Sequence, residues 1–138
     1  ISIHNHTLDV WDELANTLEA PNLTAQAIVI GTALQKQHDK VVESILSSVL
    51  SVTIDGVSGY GTACPRVFAS DVGNQLVKYS HSFGLTWEQK GDGAYSYSIR
   101  SSKKYGNLDV AAIAEKFGGG GHHNAAGFIT SKEDKVHE

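Results

Sequence analysis

The spacing of apolar residues is helical through the first third of the chain. In residues 8–20 it predicts a short helix, which Pro21 closes. After a cap at Thr24, a second set of positions recurs at alternating steps of four and three, which predicts a long helix. The positions that carry these patterns are Leu8, Trp11, Ala15 and Leu18, then Ala27, Gly31, Leu34, His38, Val41 and Ile45. Neither segment carries a chemical motif, so we expect a helical lead-in, that is, a helical segment that links the domain to whatever precedes it.

From Val49 the pattern changes to the alternation that is typical of β-strands. A strand is predicted in the run VLSVTI, followed by a turn at Asp55 and Gly56 and by a second strand that ends near Pro65. Further strands are predicted over residues 85–89, 94–100 and 127–131, with a tight turn at residues 91–93 before the second of them. In residues 94–100 the polar face comprises Ser96, Ser98 and Arg100.

Two more helices are predicted between these strands. Ser70 is expected to cap the first, and Asn107 or Asp109 to cap the second, which Gly118 ends. Their apolar faces comprise Val72, Leu76, Tyr79 and Phe83 in the first helix and Val110, Ile113, Ala114 and Phe117 in the second. The sequence therefore predicts an α/β fold, with a mixed central β-sheet of about five strands and flanking helices. Residues 1–50 form the lead-in, residues 51–138 the domain, and residues 132–138 a polar tail.

Composition and charge restrict the classes of partner. The chain has 11 Lys and Arg against 15 Asp and Glu, a net charge of -4, so any contact with a nucleic acid must be local. The single cysteine, Cys64, cannot form an internal disulfide, and neither a signal peptide nor a membrane span is visible. We therefore expect a cytoplasmic protein with no membrane partner. The chain begins at Ile1 and contains no Met, which suggests that an upstream region is missing.

Four consecutive glycines followed by a histidine, residues 118–122, are the most unusual feature of the sequence. Each ordered glycine costs about 1 kcal/mol of backbone entropy relative to alanine, so four together need a reason. One reason is a left-handed helix cap followed by flexible chain. The other is a bare backbone that aims N–H groups at an anion, with His122 as a further donor. The segment lacks the Lys-Ser/Thr of a Walker loop, and it follows a helix, unlike a dinucleotide fingerprint.

A longer string around this segment is more specific. Residues 98–101 read SIRS, and residues 109–128 read DVAAIAEKFGGGGHHNAAGF. The GGGHxxAAG core resembles the signature of the C-terminal DHH-associated domain (type 1) of the DHH phosphoesterases. That family includes RecJ-type exonucleases, nanoRNases and exopolyphosphatase-like proteins. The similarity covers the second half of the chain from about Asp71, and the first fifty residues match only loosely.

The resemblance implies a role for individual residues. Its phosphate-binding or nucleotide-binding residues would be Arg100, Gly119, Gly120, Gly121 and His122. Arginine suits this role because its guanidinium binds phosphate through two parallel hydrogen bonds and keeps its charge. Small residues after the glycines would let the last strand pack under the loop. Accessory candidates are Ser98, Ser101, Lys103, Lys104 and His123, although the two lysines also suit a solvated turn.

In this family the hydrolysis requires divalent metals, typically manganese, held by an N-terminal domain with an Asp-His-His triplet. This sequence contains no such triplet and no paired carboxylates that would seat two metals. We therefore expect no cofactor and no catalytic residue in this chain. Manganese or magnesium is expected in an N-terminal DHH domain of the same polypeptide. The expected substrate is a short oligonucleotide or nucleotide, and the choice among RNA, DNA, a dinucleotide and polyphosphate stays open, as does a homodimer.

The same residues are compatible with other interpretations. A nucleic-acid-binding module without hydrolysis is the alternative function, and a domain whose glycine loop binds nothing is a third. A metal pair at His122 and His123 is disfavoured because adjacent side chains point apart and no further ligands are at hand. Cys64 has no paired histidine, so we expect it in the core rather than as a nucleophile.

Overall fold

The structure is a computed structural model of the chain, and it describes residues 20–137. The short helix predicted over residues 8–20 lies almost wholly outside this range. The chain divides into two compact units, Ile1–Glu43 and Ser44–Glu138. The division into a lead-in of residues 1–50 and a domain of residues 51–138 stays a prediction.

The predicted long helix is present as α1 (Ala20–Leu46). It begins at Ala20 rather than after Thr24, so Pro21 lies in its first turn. Proline is tolerated there because the first amide nitrogens of a helix have no intrahelical acceptor. None of the helices in the described residues has the length and apolar character needed to cross a membrane.

Six strands form one mixed sheet. They are β1 (Leu50–Ile54), β2 (Val57–Ala63), β3 (Gly84–Gln89), β4 (Tyr95–Arg100), β5 (Gly120–His122) and β6 (Ala125–Thr130). Their order is β1-β2-β3-β4-β6-β5, in which β2 and β3 are parallel and all other neighbours antiparallel. The predicted α/β class with a mixed sheet is confirmed. The prediction of about five strands omits β5, because a short run of glycines gives no strand pattern.

The connections between strands follow their local chemistry. Asp55 and Gly56 have positive φ angles of 54° and 79°, and they form the predicted hairpin turn between β1 and β2. Gly93, with a φ of 89°, lies in the predicted turn before β4. The parallel pair β2 and β3 needs a crossover, which consists of a 3-10 turn (Arg66–Phe68) and helix α2 (Ala69–Ser80).

Helix α2 differs from its prediction in two respects. No side chain caps its N-terminus, and the helix begins one residue before Ser70, which is therefore not the cap. Val72 and Leu76 are fully buried, but Tyr79 is 63% exposed and does not belong to the apolar face. Phe83 is buried as predicted, although it lies beyond the helix, in the segment that leads into β3.

The main core lies on one face of the sheet, under helix α3 (Val110–Lys116). Residues directly opposite one another in neighbouring strands project to the same face, so Leu85, Ile99 and Ala126 form one apolar row. Asp109 directly precedes the helix, and its carboxylate accepts a hydrogen bond from Ala112 N. Asp109 rather than Asn107 is therefore the N-cap. Gly118, with a φ of 83°, follows its end as predicted.

The C-terminal residues pack against this core. The hydroxyl of Tyr97 accepts a hydrogen bond from Val136 N at 3.0 Å and lies 2.6 Å from His137 Nδ1. The His137 ring stacks on Trp87, with 4.2 Å between ring centroids. The prediction of a polar tail over residues 132–138 is therefore wrong for its last part, because one valine and one histidine are too few to show as a pattern.

Removing the Tyr97 hydroxyl should loosen this C-terminal contact. Tyr97→Phe is expected to lower the free energy of unfolding by about 1 kcal/mol, the net value of a lost hydrogen bond. The matched control is Tyr95→Phe, because the Tyr95 ring also contacts His137 but its hydroxyl forms no hydrogen bond in the described part of the chain. Equal destabilisation by the two variants in urea titrations would contradict the contact.

Candidate functional site

The second face of the sheet is only partly covered. Helix α2 packs against β2 and β3, where the main chain of Gly84 approaches the carbonyl oxygen of Gly73 too closely for a Cβ. The remainder of this face is open and forms a cleft of about 530 Å³, bounded by the start of α2. Its polar lining includes Arg66, Glu88, Lys90, Ser96, Ser98 and Arg100, and Gly120, Gly127 and Ile129 contribute to its floor.

Strand register brings Arg100 and His122 into one row. Arg100 pairs with Ala125 in β6, and Ala125 pairs with His122 in β5. All three therefore project to the same face of the sheet, and the main chains of Arg100 and His122 are two strand spacings apart, ~10 Å. Arg100 and Ala125 line the cleft, whereas His122 is exposed and is not among the lining residues. In the adjacent row, Ser98 pairs with Gly127, which pairs with Gly120. An arginine and a histidine thus flank a floor of small residues.

The side chain of Arg100 makes no hydrogen bond or ion pair with the described residues. Its Nε is buried, while the residue as a whole is partly exposed. Its Cδ lies beneath α2, 3.0 Å from the position of a Cβ added at Gly73. A buried donor without a partner costs about 1–3 kcal/mol, more when it is charged. A guanidinium held in this way is a strong site for an anion.

The four glycines serve different purposes. Gly118 has the positive φ that ends α3. A Cβ at Gly119 would lie 2.1 Å from the carbonyl oxygen of Gly127, and a Cβ at Gly121 would lie 2.7 Å from that of Ala125. Only Gly120 combines an ordinary backbone conformation with nothing within 4 Å of an added Cβ. Packing and backbone geometry therefore explain why glycine is required at Gly118, Gly119 and Gly121. Gly120 is surrounded by open space on the cleft face.

The amides of the glycine segment are also divided between two uses. The N–H groups of Gly118 and Gly119 donate to the carbonyl oxygens of Glu115 and Ala114, which completes the C-terminus of α3. Among the strands of residues 20–137, β5 lies at the edge of the sheet. Alternate N–H groups of an edge strand point away from the sheet. Only the backbone N–H groups of residues 120–122 are therefore candidates for a contact with an anion. The N–H of Gly119 already donates to Ala114, so Gly119 could contact a ligand only through other atoms.

The accessory candidates Ser101 and His123 have internal partners. His123 Nε2 lies 2.8 Å from the carbonyl oxygen of Asn107. Ser101 is buried, and its hydroxyl donates to the carbonyl oxygen of Leu108 at 2.6 Å and accepts from Asn124 Nδ2 at 2.9 Å. These bonds fix the turn between β5 and β6. Sequence reasoning did not single out Asn124, although asparagine is common in tight turns. Contact of Ser101 or His123 with a substrate stays a prediction.

Lys103 and Lys104 lie in the exposed turn after β4. The Nζ of Lys104 is 5.5 Å from the centroid of the Tyr105 ring, which in turn stacks on His81 at 4.6 Å. Neither lysine is among the residues that line the cleft. Their contact with a substrate stays a prediction.

Three charged residues of the cleft were not predicted from the sequence. Arg66 and Lys90 add two positive charges to that of Arg100, and Glu88 is the one acidic residue of the lining. The backbone N–H of Arg66 donates to Glu88 Oε2 at 3.0 Å. Arg66 comes from the crossover, Glu88 from β3 and Lys90 from the β3–β4 turn, and no local motif marks them. The cleft thus has a net positive charge in a chain whose total charge is -4.

Cys64 also reaches the cleft wall but is buried, as predicted. Burial, and to a lesser extent the nearby charge of Glu88, raises the pKa of its thiol to about 11. A thiol with this pKa is almost entirely protonated at neutral pH. Because the thiolate is the nucleophile, Cys64 is poorly suited to covalent catalysis.

Comparison with known proteins yields limited similarity. No family model matches the chain. An uncharacterized protein of Acanthamoeba polyphaga mimivirus is 44% identical over 69 residues, which is 46% of this chain and 15% of that protein. A pGpG-specific phosphodiesterase, PggH from Vibrio cholerae, has a similar structure, with a TM-score of 0.50 and 13% identity over 87% of this chain and 40% of that one. An uncharacterized Helicobacter pylori protein gives a TM-score of 0.44 and 21% identity over 90% of this chain and 31% of that one.

These likenesses concern part of each relative. The chain spans 15% of the viral protein and 40% of the Vibrio enzyme. At 13% identity, the likeness to the Vibrio enzyme supports a common fold.

The glycines can be tested separately by stability measurements. Gly119→Ala is expected to lower the free energy of unfolding by about 1–3 kcal/mol, because the new Cβ collides with the main chain of β6. Gly120→Ala should leave it unchanged or raise it by up to ~1 kcal/mol, because its backbone conformation is compatible with alanine. Equal losses for both variants in chemical denaturation would contradict this assignment.

The state of Cys64 predicts its reactivity. The rate of alkylation by iodoacetamide should rise with pH towards a midpoint near the pKa of about 11, against 9.0 for an unperturbed thiol. At pH 8 the thiolate fraction of Cys64 should therefore be roughly 100-fold smaller than that of an unperturbed thiol. A midpoint near pH 9 in the folded protein would contradict the burial of the thiol.

Proposed function

We propose that this chain is the substrate-binding domain of a metal-dependent DHH phosphoesterase and that it holds a phosphate group of a short oligonucleotide or nucleotide. In this proposal the phosphate rests on the small-residue floor between Arg100 and His122. Arg100 donates two hydrogen bonds to its oxygens, and an outward amide of β5 and the His122 ring add further donors. The domain binds and orients the ester, and hydrolysis takes place on a neighbouring domain.

The observation that carries the proposal is the partnerless guanidinium of Arg100. A positive group with a buried, unbonded Nε is unfavourable in the free protein unless a ligand supplies the acceptor. Arg66 and Lys90 line the same cleft, so the local field also favours an anion. The small residues of the floor leave room for a tetrahedral group to approach the main chain closely.

The resemblance of the GGGHxxAAG string to the DHH-associated domain supports the choice of a phosphate ester among anions. So does the fold shared with PggH, a phosphodiesterase that acts on a dinucleotide. Within residues 20–137, no three side chains of His, Cys, Asp or Glu form a group that could hold a metal ion. We therefore assign to these residues binding and positioning, and the metal-dependent step to an N-terminal domain.

Substitution of the two flanking residues should weaken binding without unfolding the domain. Arg100→Ala or His122→Ala is expected to lower the affinity for the 5′-phosphorylated dinucleotide pApA by roughly 1–3 kcal/mol, the value of a charge-assisted hydrogen bond. Arg100→Lys should recover only part of the loss, because an ammonium group cannot form the bidentate contact. Isothermal titration calorimetry with the 138-residue chain measures these changes.

Lys132→Ala serves as a control, because it removes an exposed positive charge that does not line the cleft. Its affinity should equal that of the unchanged chain. The proposal fails if no 5′-phosphorylated dinucleotide binds, or if Arg100→Ala binds pApA as tightly as Lys132→Ala does. Thermal unfolding of each variant distinguishes a lost contact from a lost fold.

A further inference from the structure

The cleft continues beyond the phosphate-binding row. A third row of residues crosses the same face of the sheet, in which Glu88 pairs with Ser96 and Ser96 pairs with Ile129. Along β4, Ser96 is two residues from Ser98 and four from Arg100. Four residues of a strand span ~13 Å. All three residues line the cleft. This end is therefore too far from Arg100 for the same phosphate group, but it is within reach of another part of a nucleotide ligand.

Glu88 is an exposed residue near the end of β3, and part of its carboxylate is free to accept further hydrogen bonds. Its Oε2 accepts the backbone N–H of Arg66 at 3.0 Å, which orients the carboxylate. The side chain forms no ion pair with the part of the chain that the structure describes, even though Arg66 and Lys90 line the same cleft. Its remaining oxygen and the free lone pair of Oε2 face an exposed site.

A carboxylate in an anion-binding cleft needs an explanation. It repels phosphate, so its presence favours a ligand that brings hydrogen-bond donors to that point. The Watson–Crick edge of guanine presents two adjacent donors, N1–H and the N2 amino group, which match the two oxygens of a carboxylate. Adenine and cytosine offer a single amino group beside an acceptor nitrogen, and uracil a single N–H between two carbonyl oxygens.

Ile129 supplies an apolar surface beside this acceptor. Ile129 is 55% exposed and lines the cleft, so an apolar surface is open to a ligand there. Nucleobases pack on apolar and aromatic side chains while their edges form hydrogen bonds. The third row thus combines an acceptor pair with a platform of the kind that holds a base.

We infer that Glu88 is a specificity-determining residue that recognises guanine, with Ile129 under the base, so that the ligand is a guanine-containing nucleotide or oligonucleotide. This inference rests on the proposed function, because it assumes that the phosphate lies at the Arg100 row.

The test compares three 5′-phosphorylated dinucleotides, pGpG, pIpI and pApA, by calorimetry on the 138-residue chain. Hypoxanthine keeps N1–H but lacks the N2 amino group, so the expected order of affinity is pGpG, then pIpI, then pApA. The preference for pGpG over pApA should be roughly tenfold or more, the discrimination of a good bidentate base contact. Glu88→Gln should abolish this preference, because an amide presents one acceptor and one donor, a pattern that suits adenine.

Glu115→Gln is the matched control, because Glu115 is exposed and does not line the cleft. It should leave the ratio of the two affinities unchanged. Equal binding of pGpG and pApA by the unchanged chain, or a full guanine preference in Glu88→Gln, would overturn the inference while leaving the proposed function in place. Failure of all three dinucleotides to bind would overturn both.

Discussion

The close pairing of the glycine strand β5 with β6 is the constraint on which the site depends. Gly119 and Gly121 approach the main chain of β6 so closely that neither can carry a Cβ. Their pairing places Gly120 beside Gly127 and His122 beside Ala125, which brings His122 into the row of Arg100. A glycine sequence that first suggests a flexible loop is thus a short edge strand. Its function is to make one part of the sheet almost free of side chains.

Around this bare floor, the charges are distributed unevenly. The chain as a whole is acidic, but the cleft holds three basic side chains and one carboxylate. Long-range attraction of a polyanion by these residues is therefore weak, so in the proposed function recognition comes from short contacts within the cleft. Such contacts would favour small ligands with one or two phosphates over long duplexes, whose affinity comes from many phosphate contacts.

Sequence patterns predicted the central strands of the sheet more accurately than the edge strand β5 and the start of helix α2. Period-two alternation located β4 and the face of Arg100, because Tyr97 and Ile99 have to be buried. The same reasoning missed β5, since glycine has no side chain from which burial can be inferred. It also placed a cap at Ser70 where the helix starts without one. Of the residues that line the cleft, Arg100, Gly120 and Gly121 were singled out by a motif and a resemblance, and their contact with a ligand stays a prediction. Arg66, Glu88 and Lys90 meet in the cleft only through the crossover between β2 and β3 and the turn after β3, which local patterns do not report.

In the proposed function, a phosphate group occupies the floor between Arg100 and His122. Nuclear magnetic resonance can follow the side-chain Nε–H of Arg100 and the backbone amides of residues 120–122 during titration with a 5′-phosphorylated dinucleotide. We expect these signals to shift together and saturably, and the Arg100 Nε–H to become protected from exchange with water. Unchanged signals at these positions, with shifts confined to the exposed turn around Lys103 and Lys104, would contradict it.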